Sequence, residues 1–327
     1  MEKKDLRIIF MGTPEFAVAT LQSLLDNDYN VVAVVTQPDK PVGRHASVLQ
    51  PSPVKKLALA NGLPVLQPEK MKDEVFLQQL RDYSADIQVV VAFRMLPEVV
   101  WSMPRLGTFN VHAALLPQYR GAAPINWAVI NGETETGVTT FFLDHDIDTG
   151  RIILQHKMLI PDDADVEYVY DGLMNLGANA AIETLERIVE NDGFIESMPQ
   201  EQFIADETKL NQAPKIFKDT CRIDWNQTSK KIYDFIRGLS PYPGSWTTLY
   251  EIDNSNKTQV LKIFKGLKTA RPSTSKAGSL VVDKNHLYVN TADCQLELIE
   301  IQLSGKKRMS ARDFLNGFKN IETYELQ

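Results

Sequence analysis

Asn110, His112 and the acidic run Asp144, Asp146 and Asp148 are the residues of this 327-residue chain whose types and spacing could carry chemistry. Asn110 and His112 stand two apart in an extended segment, so their side chains leave the backbone on the same side. A turn bounded by Pro117 follows, then Gly121-Ala122-Ala123-Pro124 and a helical stretch, and the aspartates arrive just ahead of Gly150. An amide, an imidazole and a carboxylate are what acyl transfer without a covalent nucleophile requires. The amide donates to a developing oxyanion, the imidazole moves protons or also donates, and the carboxylate holds and tunes it. A lone histidine is more often structural, but His112 ends a strand, shares its side with Asn110 and precedes a proline-stiffened turn. Each aspartate could instead cap a turn before Gly150, and spacing does not choose among the three.

Other chemistries lack their residues. No G-x-S-x-G elbow occurs, and Cys221 and Cys294 have neither CxxC nor Cys/His spacing. The three aspartates lack the glycine at position six and the glutamate at position twelve of a calcium loop, so no metal is expected. Gly12 sits at a strand-turn-helix junction, but a dinucleotide fingerprint needs three glycines and no phosphate-binding GxxxxGK[ST] is present.

The elements that must position these groups follow from apolar patterning. LRIIFM (6–11), VVAVVTQ (31–37) and IQVVVAF (87–93) are near-continuous apolar strands, separated by helical periodicity after Pro14, near 53–61 and near 73–83, with a short strand at 64–66. Such alternation predicts an α/β fold: an N-terminal Rossmann-like doubly wound parallel sheet, with its site at the carboxyl ends of the strands. Residues 37–53 form a long proline-rich loop carrying Lys40 and Arg44 at the rim of that site. RIILQHKMLI reads as a further strand, and an amphipathic helix then runs to Gly193. After a polar connector the texture changes to short strands: CRIDW, SWTTLYEI, QVLKIFKGLKT, AGSLVVD, HLYVNT and QLELIEIQ. A helix at 228–238 precedes most of them, and Ser310 caps a last helix that ends near Gly317. This predicts a small C-terminal β-barrel, OB-like in kind. The expected division is 1–193 for the catalytic domain, 194–212 for a linker and 213–327 for the barrel.

Composition agrees with two soluble domains: 43% of residues are apolar and 24% charged, without repeats or biased tracts. Two unpaired cysteines suit a reducing compartment, and neither a signal peptide nor a membrane-length apolar run is present, so a cytoplasmic protein is expected. The net charge of −7 hides an asymmetry: from residue 211 onward 18 Lys and Arg face 12 Asp and Glu, whereas the residues before have 17 against 30. A basic module on an acidic body suggests a polyanionic partner such as nucleic acid, against the plainer reading of a solvated surface that happens to be basic.

Longer segments add a resemblance. IIFMGTPEFAV (8–18), TQPDKPVGR (36–44), PSPVK (51–55), NVHAALLPQYRGAAPINWA (110–128), DIDTG (146–150), RIDW (222–225), PYPGSW (241–246) and GKKRMSARDFLNG (305–317) run almost end to end. In order and spacing the chain resembles the 10-formyltetrahydrofolate-dependent formyltransferases, in their methionyl-tRNA formyltransferase branch. The resemblance implies Asn110, His112 and Asp148 as catalytic group, Ala114, Leu115, Leu116 and Pro117 as folate-site lining, and 10-formyltetrahydrofolate as donor. It implies initiator methionyl-tRNA as acceptor, engaged by Lys40, Arg44 and the basic residues Lys306, Lys307 and Arg308, in a protein expected to be monomeric. Two positions depart from the family pattern. Ala114 replaces a serine, and Phe93-Arg94 replaces Tyr-Gly, where an arginine would narrow or recharge the pterin pocket. The rivals are a folate formyltransferase for a sugar or nucleotide amine, which needs no basic barrel, and a non-catalytic RNA-binding protein, which needs no intact Asn110, His112 and Asp148.

Overall fold

The structure is a computed structural model and describes residues 1–42, 48–204, 206–318 and 320–327. Its elements begin with β1 (Arg7–Gly12), α1 (Glu15–Asp26), β2 (Asn30–Val35), β3 (Lys40–Val42), β4 (Val48–Gln50), α2 (Pro53–Ala60), β5 (Val65–Leu66), α3 (Glu74–Asp82), β6 (Ile87–Val91), α4 (Glu98–Trp101) and β7 (Thr108–His112). They continue with β8 (Arg120–Gly121), α5 (Pro124–Ile130), β9 (Glu135–Phe142), β10 (Ile152–Leu159), α6 (Val166–Glu190), β11 (Gln212–Ala213) and α7 (Ser229–Gly238). The last are β12 (Ser245–Glu251), β13 (Asn254–Pro272), β14 (Leu280–Asp283), β15 (His286–Asn290), β16 (Cys294–Leu303), β17 (Met309–Ser310), α8 (Ala311–Gly317) and β18 (Tyr324–Leu326). The chain divides into two units: residues 1–121, 135–158 and 170–212, and residues 122–134, 159–169 and 213–327.

The first unit is organised by a sheet in the order β10-β9-β7-β6-β1-β2-β5. The apolar runs expected as strands lie at its centre, where Ile8 to Met11 and Ile87 are fully buried. β1 pairs in parallel with β2 and β6, and β6 in parallel with β7. Strand order therefore reverses between β1 and β6. The sequence left β9 unread, and β9 runs antiparallel to β7, with Asn110 opposite Phe141 and His112 opposite Thr139. Gly12 has a packing role: a Cβ there would stand 2.6 Å from Ala17 Cβ and 2.9 Å from Phe10 Cε1. It lets α1 start against the end of β1. Gly12→Ala is expected to cost about 1–3 kcal/mol by overpacking, read as a lower urea midpoint with unchanged slope.

The 37–53 loop is partly regular, since β3 and β4 pair as an antiparallel hairpin. Beneath it, the Lys55 ammonium bonds Asp39 Oδ2 and Gln67 Oε1, each at 2.7 Å, and Gln67 Nε2 bonds Asp39 Oδ1 at 2.8 Å. These bonds, Lys55 foremost, hold the Asp39 carboxyl below the usual range. The 194–212 stretch docks by an antiparallel bridge, with Met198 and Ile152 exchanging two backbone hydrogen bonds of 2.8 Å. A short 3-10 turn, Gln200–Phe203, follows directly.

The second unit is a curled antiparallel sheet, β14-β15-β16-β13-β12-β18. Its edges meet where Leu326 N–H donates to Gly278 O at 2.9 Å, beside a bridge between Ser279 and Glu325. Register shifts along β13 let that 19-residue strand bend around the curl. Ile232 and Ile236 of α7 and Phe314 of α8 share its core with Leu249, Leu261, Ile263, Leu296 and Ile301. Ser310 caps α8 as expected, its Oγ accepting from Asp313 N–H at 3.0 Å. CRIDW is corrected: it is no strand, since Cys221 ends a 3-10 turn (Asp219–Cys221) and a single parallel bridge, Arg222 to Trp246, follows, with Ile223 N–H donating to Trp246 O at 2.9 Å. Asp224, Asn226 and Gln227 turn the chain there, with side chains bonded to one another rather than to a ladder. Among the described residues no helix is long and apolar enough to cross a membrane.

Candidate active site at the end of strand β7

β7 lies between β6 and β9, so Asn110 is paired on both sides, opposite Val90 and Phe141, and His112 opposite Thr139 of β9. His112 is 6% exposed. Its Nε2 lies 2.9 Å from Tyr119 O, and because a carbonyl only accepts, Nε2 carries a proton and donates it. That leaves Nδ1, which faces Asp148 Oδ2 at 3.8 Å. The separation exceeds a hydrogen bond, so Nδ1 stays available to a reacting group while sharing space with a carboxylate. The Phe141 ring stands edge-on to the imidazole and closes its apolar side. Asn110 Oδ1 is buried and has no hydrogen-bond partner among the described residues, and such a group asks for a functional reason.

The three aspartates differ in exposure and in their distance from His112. Asp144 and Asp146 are exposed, whereas the Asp148 side chain is 13% exposed and is the one beside His112. Asp148 adopts the left-handed conformation, φ 55°, and its Oδ2 accepts from Gly121 N–H at 2.9 Å. Gly150 explains the spacing. A Cβ there would fall 1.7 Å from Phe142 O, so the turn can close on β9 only with glycine. Gly150→Ala is expected to displace the turn and lower both kcat and the urea midpoint; a variant matching the wild type in both would refute this account.

Ala114 to Pro117 form a pinned turn beside these groups. Thr139 Oγ1 donates to Ala114 O at 2.6 Å and accepts from Leu116 N–H at 3.0 Å. Gln155 Nε2 donates to Leu116 O at 2.7 Å. Ala114, Leu116 and Pro117 are buried and Leu115 is half-buried, so the turn offers a partner mainly Leu115 and backbone. Arg94 sets its guanidinium on backbone carbonyls, bonding Pro68 O and, at 3.0 Å, Glu69 O. Lys40 is exposed on β3, and Arg44 lies outside the described residues. In the other unit Lys306 and Lys307 are exposed, whereas Arg308 pairs with Glu300 at 2.7 Å and lies 4.2 Å over the Phe264 ring.

Sequence reasoning missed Gln200, Thr139 and Gln155, which touch the site through backbone carbonyls. No motif marks such residues, because any amide or hydroxyl reads as an ordinary polar residue until the fold delivers its partner.

Comparisons with known proteins bear on the family and the fold. A formyl transferase family model matches residues 6–185, and the model of the formyl transferase C-terminal domain matches 215–319. A protein of Parabacteroides distasonis named methionyl-tRNA formyltransferase is 60% identical over 99% of both chains. One of Bacteroides fragilis with the same name is 56% identical over 100% of this chain and 99% of its own. Among solved structures, a sugar 3N-formyl transferase determined with dTDP and 5-N-formyl-THF superposes with a TM-score of 0.65. It is 20% identical, covers 92% of this chain and 99% of its own, and so speaks for the fold alone. Two family models that together span most of the chain, and relatives matched over nearly their whole length, show that the chain belongs to the methionyl-tRNA formyltransferase family of formyl transferases.

Proposed function

We propose that this chain transfers the formyl group of 10-formyltetrahydrofolate to the free α-amine of initiator methionyl-tRNA, giving formyl-methionyl-tRNA for translation initiation. The observation that carries this reading is His112 Nδ1 facing Asp148 Oδ2 at 3.8 Å, at the end of the strand that also carries Asn110.

The acceptor amine attacks the formyl carbon, a C–N bond forms, and the carbonyl electron pair moves onto oxygen. Asn110 and, with a proton on Nδ1, His112 donate to that oxyanion, while Asp148 balances the imidazole charge. Collapse returns the electron pair, the bond to the donor nitrogen breaks, and the amine proton passes to that nitrogen with His112 and Asp148 as relay. Tyr119 O keeps the ring from rotating throughout. The buried Asn110 oxygen and the pinned 114–117 turn fit a donor whose carbonyl and amide edges need polar partners, and Ala114, Leu115, Leu116 and Pro117 line that donor's site.

Residues 213–327 form the tRNA-binding module after a catalytic domain at 1–193 and a linker at 194–212. Lys40, Arg44, Lys306, Lys307 and Arg308 meet phosphates, and the protein acts as a cytoplasmic monomer. Arg44→Ala is expected to slow the reaction chiefly at subsaturating tRNA; an unchanged rate there removes Arg44 from the reading. Replacing Lys306 or Lys307 by Ala should lower the slope of log affinity against log salt by about one each.

The deciding assay supplies 10-formyltetrahydrofolate with initiator methionyl-tRNA or with a nucleotide-linked amino sugar. Formyl-methionyl-tRNA appearing only with both substrates is the expected result. Formylated sugar in its place, or tRNA binding without turnover, ends the proposal.

A further inference from the structure

Gln200 is fully buried, and its carboxamide is completely used. Arg120 donates to its Oε1 from Nε at 3.1 Å and from Nη2 at 2.6 Å. Since a guanidinium only donates, the oxygen faces Arg120 and the NH2 faces the other way. That NH2 donates to Asp148 O and to Gly150 O, both at 2.8 Å. Gln200 thus clamps both ends of the turn that carries the Asp148 carboxylate. Its other arm grips the strip that holds the site from the opposite side. Tyr119 O accepts from His112, Arg120 bonds Gln200, and Gly121 N–H donates to Asp148 Oδ2, so three consecutive residues anchor three groups.

We propose that Gln200 is a positioning residue for formyl transfer, locking the 148–150 turn so that the Asp148 carboxylate faces His112 Nδ1. The inference rests on the roles given above to Asp148 and His112. It differs from a merely structural role in one respect: the two N–H bonds to the turn matter, not the bond to Arg120. Gln200→Glu keeps the volume and the acceptor toward Arg120, but sets a carboxylate oxygen against two carbonyl oxygens. Gln200→Leu removes both arms.

Each variant, alone and combined with Asp148→Asn, is assayed with initiator methionyl-tRNA and 10-formyltetrahydrofolate, with near-UV circular dichroism as folding control. Both single variants should lose about 10- to 100-fold in kcat, with KM for either substrate within about twofold. On the Asp148→Asn background neither should slow the enzyme further, because a residue acting only through Asp148 has nothing left to position. If Gln200→Glu folds and turns over like the wild type, or if its loss multiplies with that of Asp148→Asn, the positioning role is overturned. If Gln200→Leu does not fold, the Glu cycle decides alone. Should Asp148→Asn itself turn over normally, the reading of the site fails first and this inference falls with it.

Discussion

Asp148→Asn is expected to lower kcat by about 10²-fold or more while leaving the fold and both KM values near those of the wild type. Asparagine keeps the shape. Its amide oxygen takes the Gly121 N–H, now 2.9 Å from Asp148 Oδ2, and the clamp from Gln200 to the backbone is untouched. What disappears is the negative charge facing His112 Nδ1 at 3.8 Å. Without it an Nδ1 proton has no counter-charge, so its hydrogen bond to the oxyanion weakens as charge develops. His112→Ala removes that donor outright and should cost at least as much. The double variant should be no slower than the slower single, since residues acting as a unit are strongly non-additive. Steady-state kinetics with initiator methionyl-tRNA test this; kcat within about threefold of the wild type for either variant would remove that residue from the catalytic group.

Asp234→Ala is expected to cost about 3–5 kcal/mol of stability in the second unit, because it strands a buried cation. Asp234 and Arg237 side chains are 5% and 7% exposed, and Arg237 Nε donates to Asp234 Oδ1 at 2.8 Å. Lys230 pairs with the other oxygen, and Arg237 Nη1 donates to Ala164 O at 2.8 Å. After the change the guanidinium keeps one neutral acceptor and loses its charge partner. Asp234→Asn retains an acceptor for Arg237 and should lose less. Urea unfolding read in the second unit checks the order Ala worse than Asn; a loss below about 1 kcal/mol for Ala contradicts the burial argument.

Several features were legible in the chain because they are local. Apolar runs gave β1, β2 and β6. Ser310 announced the start of α8 by its own side chain. The pair Asn110 and His112 could be read from a period of two. CRIDW misled for the same reason: its alternation is a strand's, but Asp224 and Gln227 spend their hydrogen bonds on one another. The partners of Arg94 were not legible, because its sequence position says nothing about Pro68 and Glu69, whose carbonyls it bonds.

The sequence by itself determined the strand-helix alternation, the curled basic module and the three side-chain types able to move an acyl group. Only tertiary structure decided which aspartate lies beside His112, that Tyr119 O and not a carboxylate takes the imidazole hydrogen bond, and that Gln200 reaches across some fifty residues of chain to hold the turn. The reason is physical. Periodicity and capping act within a few residues, whereas a buried carbonyl's partner is chosen by packing, and packing joins residues that the chain keeps far apart.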